Sequence, residues 1–176
     1  MSGHCAGGPA WWAAKVRQFR NHVLARVSAS ERAGLVEWVP EPLLAVFDAM
    51  PVADRRHGLD VVDSLRATGG GGDPELLLAG LLHDCAKRMP DGRAIGLGPR
   101  IAWSLGEIFG PGSIRLAGRL PGYRPALDQL RDHPERSATI VLAAGATPRT
   151  ADLIRDQNRV PVDRAGELLH LADEAN

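Results

Sequence analysis

The chain carries six histidines, and one of them, His83, closes the apolar run Leu-Leu-Leu-Ala-Gly-Leu-Leu and is followed at once by Asp84. An imidazole and a carboxylate set against water-poor surroundings cost free energy unless something compensates them. A divalent cation would do so, since both groups are good ligands. A plain His-Asp hydrogen bond would also do so, and the pair alone does not choose between them. Two further residues bear on the choice. His57 lies beside Leu59, Val61 and Val62, and Asp173 follows Leu168, Leu169 and Leu171. Singly, these are an ordinary core histidine and an ordinary helix-end aspartate. Together with the pair, they shift the odds toward a metal, and donors of these types suit Mn, Fe, Co, Ni, Zn or Mg in varying degree.

Helices must position these groups. The spacing predicts an all-α chain, an irregular helical bundle with short connections, and no alternating β-rich run appears. Trp12, Val16, Phe19, Val23 and Val27 recur at helical spacing over 11–27, after a Gly-rich leader at 1–9. Ser28 to Glu31 starts a helix expected over 30–38, and Pro40 with Pro42 opens 41–49. Asp54 to Ala67 forms the next helix, ended by the glycines at 69–72. Asp73-Pro74-Glu75 then supplies a cap, a proline at the first helical position and an acidic first turn. Leu76 to Lys87 follows as a central buried helix carrying His83 and Asp84, and 88–98 is a loop. Further helices are expected over 99–109, 113–118, 124–131, 134–145, 148–157 and 163–175, with a break before Pro134.

Composition narrows the function classes. The 176 residues suit one domain, and a 44% hydrophobic content provides a core without disulfides. Lys plus Arg equals Asp plus Glu at 21 each, so no global field attracts nucleic acid or anionic membrane. Eight aromatic residues and no basic stripe give no clear nucleic-acid surface. No stretch approaches the roughly 20 apolar residues needed to span a bilayer. Two cysteines, Cys5 and Cys85, and no secretory signal are the pattern of a reduced, cytoplasmic protein.

The series His57, His83-Asp84, Asp173, with Asp-Arg-Arg-His-Gly-Leu-Asp around the first histidine and Leu-Leu-His-Asp-Cys-Ala-Lys around the pair, resembles the HD superfamily of metal-dependent phosphohydrolases. The resemblance covers 51–176 as an HD-type metal-binding domain, with 10–50 as N-terminal helices packed on its core. It implies that His57, His83, Asp84 and Asp173 hold the metal. The activity implied is hydrolysis of a small phosphorylated substrate, a nucleotide or other phosphate ester or anhydride, by a metal-activated water. Asp84 is then the residue to bridge to a second metal or to accept the water's proton, and Lys87 the point charge for a phosphate.

The pattern also departs from the family. His133, in His-Pro-Glu, matches a further ligand position, but the His-His pair expected after Leu153-Ile154-Arg155 is replaced by Gln157 and Asn158. Amides are weak ligands beside imidazole, so one metal is expected, with His133 and Arg56 as substrate or second-site contacts. The same loss motivates an alternative, a non-catalytic metal- or nucleotide-binding regulatory domain. A third reading, an iron-dependent oxygenase, needs the second metal.

Overall fold

The structure is a computed structural model that describes residues 25–176. The leader at 1–9 and the amphipathic stretch up to residue 24 lie outside the described residues. Residues 25–27 are not helical, and Val27 leaves the expected helix to pack half-buried on the core. Among the described residues there are nine helices and no strand: α1 Ala29–Leu35, α2 Glu41–Asp48, α3 Val52–Ala67, α4 Pro74–Leu82, α5 Leu97–Phe109, α6 Pro111–Ala117, α7 Tyr123–Ala143, α8 Pro148–Arg155 and α9 Arg164–Ala175. The described residues thus form an all-α helical bundle.

Local chemistry sets the helix starts. Ser28 and Glu31 form a reciprocal capping box on α1. Asp73, Thr147 and Asp163 cap α4, α8 and α9 by accepting from backbone N–H groups three residues on. The first two caps are joined: Arg149 binds Asp73 at 2.6 Å and Glu75 at 2.8 Å, tying the start of α8 to the start of α4.

One continuous core takes side chains from α1, α2, α3, α4, α7, α8 and α9, including Phe47, Leu65, Leu81, Ile154 and Leu169. α4 lies at its centre, packed against α3, α8 and α9. A smaller cluster of Ile95, Ala126, Leu127 and Leu130, with Trp103, Ile114 and Tyr123 beside it, joins α5 and α6 to the first half of α7. Two glycines bring α3 and α4 together. A Cβ on Gly58 would stand 2.4 Å from the Leu81 carbonyl oxygen, and one on Gly80 would stand 2.7 Å from Leu65 Cδ1. Helices can approach this closely only where no side chain intervenes.

Two expectations need correcting. The central helix does not reach Lys87: α4 stops at Leu82, His83 caps it, and 84–86 form a turn. Lys87 therefore reaches the site from that turn and does not share a helix face with His83. Nor does the chain break before Pro134. α7 runs through it as one helix of 21 residues. No described helix is long and apolar enough to cross a membrane.

Candidate metal centre

Three helix segments deliver the candidate ligands. α3 brings His57, the residue before the Gly58 contact; the end of α4 brings His83 and Asp84; α9 brings Asp173. His57 Nε2 lies 2.8 Å from Asp173 Oδ1, and His83 Nε2 lies 3.4 Å from that same oxygen. His83 Nε2 is also 3.4 Å from Asp84 Oδ1. The two imidazole rings meet edge-on with centroids 5.1 Å apart. Donor atoms of His57, His83 and Asp173 all fall within 4.8 Å of one another, a group that can hold a metal ion. His83 and Asp84 are 1% and 2% exposed, while the side chains of His57 and Asp173 are 23% and 37% exposed, so the centre is closed below and open to solvent on one side.

The geometry can be tested against a cation. Ligand atoms about 2.1 Å from a metal and about 90–110° apart lie about 3.0–3.4 Å from each other. The two His83 separations of 3.4 Å fall in that range, and the His57–Asp173 separation of 2.8 Å is shorter, the length of a hydrogen bond. The hydrogen bonding agrees as well. His83 Nδ1 donates to the Gly80 carbonyl at 2.9 Å, which in the neutral ring leaves Nε2 as an acceptor. Buried His83 Nε2 and Asp84 Oδ1 have no hydrogen-bond partner. Two acceptors turned on each other in a buried site need positive charge between them, which a divalent cation supplies.

Without a cation, a proton takes part of that role. Burial alone would lower the His83 pKa, but the Asp84 and Asp173 carboxylates outweigh it and raise it to about 9. Burial would likewise raise the two carboxylates. Asp84 is instead held well below the usual range by His83, Lys87 and His133, and Asp173 by His57 and His83.

Lys87 Nζ pairs with Asp84 Oδ2 at 2.7 Å. Both Asp84 oxygens are therefore engaged: Oδ2 is held by Lys87, and Oδ1 faces His83 and His133. His133 Nε2 lies 3.4 Å from Asp84 Oδ1, so the structure does bring that histidine to the site. Arg56 is turned elsewhere, onto Glu31 of α1 and Asp60 at 2.8 Å. His170 faces outward, 3.5 Å from Glu174. Gln157 is buried, and its amide N–H donates to the His83 carbonyl at 3.3 Å, so it braces the ligand turn from behind. Asn158 is exposed.

Two supports were not read from the sequence. Arg100 of α5 holds the buried Asp54 of α3 through a two-pronged contact at 2.8 and 2.9 Å and donates to the Lys87 carbonyl at 3.2 Å. Ser137 of α7 accepts from the Ala86 N–H at 3.1 Å. An Asp and an Arg separated by 46 positions carry no local signal of their pairing. A cavity of about 650 Å³ lies between Ala86, Arg88–Gly92 and the α7 residues Gln129, Arg136 and Ile140, and none of the converging side chains lines it. Compared with known proteins, the chain matches no family model, no curated protein and no solved structure.

Proposed function

We propose that the chain is a metal-dependent phosphohydrolase of the HD type, acting on a nucleotide or another small phosphate ester or anhydride. The observation that carries this reading is the pair of buried, partnerless acceptors His83 Nε2 and Asp84 Oδ1, facing each other beside His57 and Asp173 with an ammonium at their edge. His57, His83, Asp84 and Asp173 would hold one divalent ion. A bound ion of this kind lowers the pKa of a water and neutralises charge on a phosphoryl group.

The protein groups divide the remaining work. Asp84, held ionised by its neighbours, is suited to ligation and is a weak base. His133, an imidazole beside Asp84 and outside the ligand set, would be placed to accept the proton of an attacking water, with the Asp84 carboxylate stabilising the imidazolium. Lys87 has three N–H donors; one engages Asp84, leaving two for phosphate oxygens at the open side.

The non-catalytic alternative also has an observation in its favour. Gln157 stands where the resemblance expects an imidazole, and its side chain is committed to a backbone carbonyl. Phosphate release from a panel of nucleotides and phosphate esters, with Mn, Co, Ni or Mg added, separates the two. Turnover that is abolished by chelator and by His83→Ala is expected. Tight nucleotide binding without turnover would favour the regulatory domain, and no turnover together with no bound metal would sink the hydrolase.

A further inference from the structure

Pro134 stands near the middle of α7, where proline normally breaks or kinks a helix because it has no N–H for the carbonyl four residues back. That carbonyl belongs to Leu130. Its place is taken by His133: the imidazole Nδ1 lies 2.6 Å from the Leu130 oxygen. A carbonyl only accepts, so Nδ1 carries the hydrogen, and in the neutral ring Nε2 is left as a lone pair. Nε2 is the atom that faces Asp84 Oδ1 at 3.4 Å.

The same arrangement occurs at His83, whose Nδ1 donates to Gly80 O in the turn where α4 runs out of backbone donors. At the end of α4 the free carbonyl comes with the helix terminus. In the middle of α7 there is no terminus, and the proline creates the free carbonyl.

We propose that Pro134 is a positioning residue: by removing the N–H that would claim the Leu130 carbonyl, it commits His133 to the tautomer that presents Nε2 to Asp84. The functional consequence rests on the phosphohydrolase reading above; the tautomer does not.

The test is ¹⁵N NMR of histidine-labelled, metal-free protein recorded where the ring is neutral, with His133 assigned by its loss in His133→Gln. The parent chain is expected to carry the His133 proton on Nδ1. In Pro134→Ala, the new N–H claims the Leu130 carbonyl, and the tautomer with the proton on Nε2 becomes populated. Phosphate release then falls about tenfold, as expected for loss of a group that orients a site imidazole. The melting temperature rises at the same time, because alanine suits a helix interior far better than proline. A purely structural proline would not couple those opposite changes. Pro134→Ser provides a second donor-restoring variant and should shift the tautomer in the same direction. A parent His133 protonated on Nε2, or spectra unchanged in both variants, overturns the proposal. Absence of phosphate release in the parent chain overturns the hydrolase reading and leaves the tautomer result standing, so the two failures are distinguishable.

Discussion

Asp173 Oδ1 is shared between His57 and His83, and Asp84 Oδ1 between His83 and His133, so each carboxylate deletion removes more than one contact. Asp173→Ala is expected to weaken divalent-metal affinity at least tenfold, measured by calorimetric titration of the metal-free protein, with the fold retained. Lys87→Met leaves the buried Asp84 charge without its ammonium. Breaking a buried pair costs about 3–5 kcal/mol, and the partial exposure of Lys87 reduces this to about 2 kcal/mol, readable by denaturant unfolding. The pH dependence follows from His83, whose pKa of about 9 lies above the ordinary 6.5. In the metal-free protein its contribution to stability is complete below pH 6.5 and is lost as pH rises through 9. Metal binding runs the other way. A cation must displace that proton, so affinity is expected to increase with pH and level off near 9; affinity independent of pH between 6 and 9 would contradict the assignment.

At the scale of elements, the site depends on how closely α3 lies on α4. Gly58→Ala would drive a Cβ into the Leu81 carbonyl, beside both His57 and the ligand turn. Overpacking of this kind costs about 1–3 kcal/mol, and metal affinity should fall with stability because His57 moves away from His83. Gly34→Ala on α1, where a Cβ meets nothing within 4 Å, is expected to stabilise by about 0.5–1 kcal/mol and leave metal affinity unchanged. Thermal melts and metal titrations of the two variants check the contrast. Most helices were legible because their caps are local: Ser28-Glu31 and Asp73-Pro74 mark starts that the structure keeps. The two misreadings have a common cause. α4 ends at Leu82, where its apolar run ends, and does not carry on to Lys87, and α7 continues through Pro134 because a side chain satisfies the carbonyl that proline frees. Neither follows from propensity or periodicity, since both depend on where a histidine ring is held.

At the scale of the whole molecule, the candidate ligands come from α3, the end of α4 and α9, so a bound cation joins segments separated by 116 positions of sequence. Ligand binding to the folded state alone adds about 2.7 kcal/mol at a hundred times the dissociation constant. For a chain of this size that is a rise of about 5–10 °C in melting temperature, which EDTA should reverse. His57, His83 and Asp173 were expected together and do converge, while Asp84 Oδ1 lies 3.4 Å from both His83 and His133. The Asp54–Arg100 brace and the turn of Gln157 onto the His83 carbonyl were not legible, because tertiary pairing alone creates them. The most direct measurement is the metal content of the chain after incubation with Mn²⁺ and desalting, beside His83→Ala treated in the same way. One equivalent per chain, lost in the variant, is the expected result; no retained metal, or equal retention by the variant, would contradict the proposed centre.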